Sequence, residues 1–115
     1  MKVIIAGSRT IEDYSLVAKA VEASGFGITE VVSGACPHGV DTLGEAWADD
    51  HGVVLRQFPP DWKLFGKSAG IKRNGLMARY ADALILVWDG QSPGSADMKR
   101  KAEILKIPIF EVIVN

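Results

Sequence analysis

Ala83–Ser95, ALILVWDGQSPGS, is a run of six apolar residues followed by an Asp-Gly turn and a stretch of glycine, proline and small hydroxylated residues. An unbroken apolar run of this length suits a strand buried on both faces, and such strands belong to parallel sheets covered by helices. The same pattern recurs outward from it. Lys2–Ala6 reads as a short buried strand closed by Gly7-Ser8-Arg9-Thr10, and Thr29–Ser33 as one closed by Gly34-Ala35. Val53–Phe58 runs into Pro59-Pro60-Asp61, and Pro108–Val114 is the last strand.

Helical periodicity fills the intervals. Asp13–Ser24 places Tyr14, Leu16, Val17, Ala20, Val21 and Ala23 on one face, and Gly25 and Gly27 stop it. Val40–His51 turns Leu43, Ala46 and Trp47 inward and ends at Gly52. Ala69–Tyr80 is a third helix, and Ala96–Leu105 a fourth whose outer face carries Lys99, Arg100, Lys101 and the nearby Lys106 as solvated cations. Pro59–Lys67 reads as irregular. Strands alternating with helices predict an α/β fold: a Rossmann-like three-layer α/β/α domain with a five-stranded parallel sheet in the order 3-2-1-4-5. The order reverses between strands one and four, so Gly7-Ser8-Arg9 would face Asp89-Gly90 across a crevice. Ligands bind at such switch points, outside the carboxyl ends of the strands.

The bulk properties fit one domain spanning 1–115. Thirteen Lys and Arg against fourteen Asp and Glu leave no global field to attract nucleic acid or an anionic membrane. No apolar run approaches the roughly 20 residues of a membrane span, and the apolar stretch in MKVIIAGSRT is too short for a signal peptide. Cys36 is the single cysteine, which excludes an internal disulfide, and no zinc spacing surrounds it. A cytoplasmic location without a metal or cofactor is the expectation.

Each turn offers chemistry for a phosphorylated ligand. In the first, Gly7 admits close backbone approach, Ser8 can bond phosphate or ribose, and Arg9 can grip phosphate through two donors. Neither the G-x-G-x-x-G fingerprint nor the P-loop spacing is present, which argues against an ordinary dinucleotide dehydrogenase or NTPase. The second turn, Ser33 to Asp41, frames a helix start with Gly34 and Gly39. Its Asp41 reads either as an acid favourable to the helix dipole or as an acceptor for a ribose hydroxyl. His38 reads as a loop residue. Asp61–Arg73 mixes Trp62 and Phe65 with lysines, either to stack a base or simply to pack back on the core; Arg73 and Asn74 are its candidates for the ligand. After the fourth strand, Asp89, Gly90, Ser92, Gly94 and Ser95 form a phosphate cradle by composition, with Ser95 also readable as the helix cap. Trp88 is either core or the wall of a base pocket.

Taken in order, GSRT, VVSGACPHGVDTLGEAWA and GIKRNGLMARYADALILVWDG…SPGSADMKRKA resemble the SLOG superfamily across nearly the whole chain, and most of all its small bacterial and phage members related to YspA and YpsA. The resemblance implies a site for a nucleotide or nucleotide-derived ligand, one related to NAD or ADP-ribose, held by a sensor module that forms dimers. It also brings the phosphoribohydrolase activity of the LOG branch, which splits the N-glycosidic bond of nucleoside 5′-monophosphates. In that branch an Arg-Lys pair and a P-G-G-x-G-T-x-x-E loop are used. Arg73 matches the arginine, Asn74 stands at the lysine, Gly94 and Ser95 match Gly-Thr, and Asp97 falls one position from the glutamate. As an enzyme the chain would rely on Asp97, Asp89 and Arg73, with Asp41 as a further carboxylate near the crevice. A third reading, single-stranded DNA binding as in DprA, rests on the basic-aromatic loop alone.

Overall fold

The computed structural model describes residues 1–114. Its elements run β1 (Lys2–Gly7), α1 (Tyr14–Ser24), β2 (Glu30–Ser33), α2 (Val40–Asp50), β3 (Val54–Gln57), α3 (Trp62–Phe65), a 3-10 turn (Gly66–Ser68), α4 (Ala69–Tyr80), β4 (Ala83–Trp88), α5 (Pro93–Ile104) and β5 (Ile109–Ile113). All strand pairs are parallel, in the order β3-β2-β1-β4-β5, so the Rossmann-like arrangement expected from the sequence is the one present. No helix among the described residues is long and apolar enough to cross a membrane.

The central strands explain why both faces need cover. Side chains alternate across a strand. Val3 and Ile5 of β1, with Ile85 and Val87 of β4, therefore join Val17, Ala20 and Val21 of α1 and Val40 and Ala48 of α2. Ile4 and Ala6, with Leu84, Leu86 and Trp88, join Met77 and Ala78 of α4 and Met98 and Ala102 of α5. Every residue of β4 is buried, whereas all four of the edge strand β3 are exposed. The apolar pattern of Val53–Phe58 thus marks a strand but not a buried one, because β3 has a neighbour on one side only.

Helix starts differ from expectation where caps decide them. Asp13 lies outside α1 as its cap, accepting from the Ser15 N–H at 2.9 Å. Helix α5 begins three residues earlier than the expected Ala96. Pro93, pre-set for a helical first position, follows Ser92 at the cap, and Ser95 is inside the first turn rather than capping it. Within the segment expected to be irregular, Asp61 accepts from the Leu64 N–H at 3.0 Å and holds the single turn α3.

The first three residues after β1 fix the crevice. Ser8 is 1 % exposed. Its N–H donates to the Val87 carbonyl at 3.2 Å, extending the β1–β4 ladder, and its carbonyl accepts from the Val40 N–H at 3.2 Å at the start of α2. Its Oγ accepts from the Asp89 N–H at 3.0 Å and lies 3.0 Å from Ser92 Oγ. One serine thus ties together the ends of β1 and β4 and the starts of α2 and α5. Gly39 lets α2 come this close. Its φ of 77° and ψ of −147° are accessible essentially to glycine alone, and a Cβ there would strike the Ser8 carbonyl oxygen and Arg9 Cα.

Gly39→Ala is expected to cost at least about 3 kcal/mol, combining backbone strain with overpacking. That lowers the thermal midpoint by about 10 °C or more. Gly27→Ala, where a Cβ would meet open space, serves as the control and should leave the midpoint within about 2 °C. Circular dichroism melts of both variants check this; equal, small changes would contradict the packing described.

Candidate functional site

A cavity of about 380 Å³ opens at the carboxyl ends of β1 and β4. Its lining comprises the apolar Ala6, Met77 and Met98, together with Gly7, Arg9, Thr10, Cys36, Asp41, Arg73, Asn74, Asp89 and Ser92 to Ser95. The volume lies within the range of small-molecule sites, and a few convergent polar groups among apolar ones is their usual make-up.

Many polar groups here hold the protein itself. Asn74 is buried and fully used: its Nδ2 donates to the Gly94 carbonyl at 3.2 Å and to Asp97 Oδ2 at 3.1 Å, and its Oδ1 accepts from Arg73 Nε at 3.0 Å. Asp97 also takes Arg100 at 2.7 Å and Lys101 at 2.8 Å. Lys101 further donates to the Ile71 carbonyl at 2.6 Å, pinning α5 to α4. Asp89 Oδ1 accepts from the N–H groups of Gln91 and Ser92 and from Ser92 Oγ, each at 2.9 Å. Those bonds, the Gln91 N–H foremost, hold its carboxyl down at about 2.

Other groups are left free toward the cavity. The first N–H groups of a helix have no intrahelical acceptor, and those of Gly94 and Ser95 have no protein partner among the described residues. Ser95 is 7 % exposed, yet its Oγ makes no protein hydrogen bond there either. Arg9 is exposed and forms no ion pair within 4.0 Å among the described residues. Arg73 is anchored by Nε on Asn74 and by Nη1 on the Gly34 carbonyl, with Nη2 unused. Gly34 permits this, because a Cβ would collide with the Arg73 guanidinium and with Asp41 Oδ2. Burial pulls the Arg73 pKa below its ordinary value, against the opposing pull of Asp41.

Asp41 is the buried acid of the cavity, 8 % exposed. Its Oδ2 accepts from the Cys36 N–H at 3.1 Å, while Oδ1 has no protein partner among the described residues. Burial raises its carboxyl from 3.8 to about 6; the Cys36 N–H, Arg73 and Arg9 oppose the rise and Glu45 adds to it.

The expected site residues are thus divided by the structure. Gly7, Arg9, Asp41, Arg73, Asn74, Asp89, Ser92, Gly94 and Ser95 line one cavity. Ser8, Ser33, Gly34, Gly39, Gly90, Trp88 and Asp97 do not. Ser8 and Gly39 brace the turns. Ser33 Oγ donates to Glu45 Oε2 at 2.7 Å. Gly90 sits in an exposed turn at φ 81°. Trp88 faces the core, with its Nε1 donating to Glu111 Oε2 at 2.7 Å, and is not among the residues lining this cavity. Trp62 lies in a separate shallow groove with Pro59 and Pro60. Of the cations of α5 expected to be solvated, Lys101 on Asp97 and Lys99 on Glu111 at 3.0 Å are part-buried in ion pairs, while Arg100 pairs with Asp97 and stays exposed. Thr10, Cys36, Met77, Pro93 and Met98 line the cavity without having been singled out as ligand contacts. Thr10 and Pro93 follow directly on the marked turns, but helix periodicity cannot separate a methionine lining a cavity from one in the core.

An acid with a raised folded pKa binds more protons folded than unfolded between about pH 4 and 6. Its contribution therefore falls as pH rises through that window, and above it the ionised form costs stability. Two units correspond to about 3 kcal/mol. Asp41→Asn is expected to stabilise the protein by about 1–3 kcal/mol at pH 7.5, and to change it by less than about 0.5 kcal/mol at pH 4. Urea unfolding at both pH values tests this; equal changes at the two would refute the buried, ionised carboxylate.

The family model YAcAr, described as the YspA, cpYpsA-related SLOG family, matches residues 1–65, more than half of the 115. The matched stretch carries Ser8, Arg9, Gly34 and Asp41, while Arg73 and the start of α5 lie beyond it. No curated protein and no solved structure matches the chain.

Proposed function

Because the chain belongs to the YspA, cpYpsA-related SLOG family, we propose that its cavity holds the phosphate-bearing part of a nucleotide-derived ligand, of the NAD or ADP-ribose kind, as a sensor that binds without turnover. Family membership supports a nucleotide-related role. The observation that carries the reading further is the set of unpaired donors facing one space: the Gly94 and Ser95 N–H groups, Ser95 Oγ and the Arg9 guanidinium. A helix N-terminus with free N–H groups attracts an anion by hydrogen bonding and by its dipole. A neighbouring arginine adds charge and two further donors.

Binding without turnover is favoured by Asp97. Cleaving an N-glycosidic bond requires a carboxylate at the reacting centre. Asp97 lies outside the cavity lining, and its oxygens are taken by Asn74, Arg100 and Lys101. The phosphoribohydrolase reading retains the carboxylates of Asp41, with its raised pKa, and Asp89 in the cavity lining, together with Arg73.

The test is a thermal-shift titration with inorganic phosphate, AMP, ADP, ADP-ribose and NAD, each mixture then run on chromatography. At least one nucleotide should raise the melting temperature by several degrees near 100 times its Kd, where linkage supplies about 2.7 kcal/mol, and should elute unchanged. No shift with any of them would refute the proposal, and elution as free base plus ribose phosphate would replace the sensor with the enzyme. Arg9→Ala should weaken binding about tenfold. Because Arg9 is exposed and forms no ion pair among the described residues, the free protein's melting temperature should stay within about 1 °C. Unchanged affinity would remove Arg9 from the site.

A further inference from the structure

Resting on that reading, we propose that Asp41 makes the cavity selective for ribose over deoxyribose, by accepting a hydrogen bond at its free Oδ1 from a sugar hydroxyl of the bound ligand. A buried carboxylate is normally paired or hydrogen-bonded to capacity. Asp41, 8 % exposed as a residue, takes the Cys36 N–H on one oxygen only; the other has no protein partner among the described residues and keeps some accessibility of its own. The nearest cation does not satisfy it. Arg73 reaches the same glycine, Gly34, but spends Nη1 on the carbonyl of Gly34 and Nε on Asn74, and forms no ion pair with Asp41 within 4.0 Å. Arg9 is likewise unpaired with it.

An ionised carboxylate accepts and never donates. The ligand group that meets it must therefore be a donor, and a phosphate is excluded by like charge. The cavity thus has two unlike ends within about 380 Å³. The start of α5, with Gly94 and Ser95, offers donors to an anion; Asp41 on α2 offers an acceptor to a hydroxyl. In a nucleotide, the ribose carries hydroxyl donors next to the phosphate. Removing the matching hydroxyl would leave the charged acceptor buried and unpaired, which is the situation in which a polar site rejects an analogue most strongly.

The experiment is calorimetric titration of the full chain at pH 7.5 with AMP, 2′-deoxy-AMP and 3′-deoxy-AMP, repeated on Asp41→Asn. The amide variant keeps an acceptor for the Cys36 N–H and is isosteric, so the fold is retained. The wild type should bind AMP at least about tenfold tighter than one of the two deoxy analogues, as expected for a hydrogen bond to a charged group. In Asp41→Asn that ratio should shrink to below about threefold. Comparable affinity for all three ligands would overturn the role of Asp41 and leave the phosphate site standing. A ratio that survives in Asp41→Asn would also overturn it, assigning the selectivity to another group. Binding of none of the three would overturn the role of Asp41 toward the sugar of AMP, whereas the phosphate site itself falls only if ADP-ribose and NAD also produce no thermal shift.

Discussion

The hydrogen bonds of Ser8 are the constraint on which the site depends. Its side chain and both of its backbone groups are consumed in joining β1, α2, β4 and the start of α5. Parallel strands buried on both faces give a rigid sheet, but the turns beyond their ends have few apolar contacts to hold them. A buried hydroxyl fully hydrogen-bonded to backbone and a neighbouring turn supplies that order, because leaving any of these groups unpaired in the interior is costly. The backbone on either side of the opening, after β1 and after β4, is therefore tied together through one residue.

The polar residues around the opening fall into two groups by what they touch. Asn74, Asp97, Lys101 and Asp89 Oδ1 are saturated by protein partners and set the position of α5 against α4 and of the α5 start against the sheet. The N–H groups of Gly94 and Ser95, Ser95 Oγ, Arg9 and Asp41 Oδ1 are without such partners and share one cavity. Holding an ionised acid in a buried place opposes folding, and holding donors unpaired at a helix start adds nothing to it. Residues kept in this state are suited to a ligand that completes them, and that division supports a binding site more firmly than any single motif does.

The fold was legible in the sequence because continuous apolar runs and helical periodicity report burial directly. The ALILVW run and the alternating strand-helix order are enough for a parallel sheet and its switch point. The edge position of β3 follows from the expected order 3-2-1-4-5, but the exposure of all four of its residues was not legible, since its apolar content resembles that of a covered strand. The start of α5 was misplaced by three residues because Ser92-Pro93 is as good a helix opening as Ser95, and the choice between them is made by the bonds of Ser92 to Asp89. Half the candidate site could be read from turns that follow strands. What could not be read is which way each polar side chain turns. Asp41 in the first turn of α2 and Asp97 one turn into α5 are both acids near a helix start, yet Asp97 is satisfied by its own helix and by Asn74, while Asp41 lines the cavity with one oxygen lacking a protein partner among the described residues.

The proposed site would seat an anion at the start of α5, with the rest of the ligand reaching toward α2. Amide chemical-shift mapping of the isotope-labelled protein during titration with ADP-ribose tests this most directly. The account predicts the largest displacements at Gly94 and Ser95, with further changes at Arg9, Cys36, Asp41 and Arg73, and little change along β3 or α3. Displacements concentrated on Trp62 to Phe65 and β3, with Gly94 and Ser95 unmoved, would contradict it.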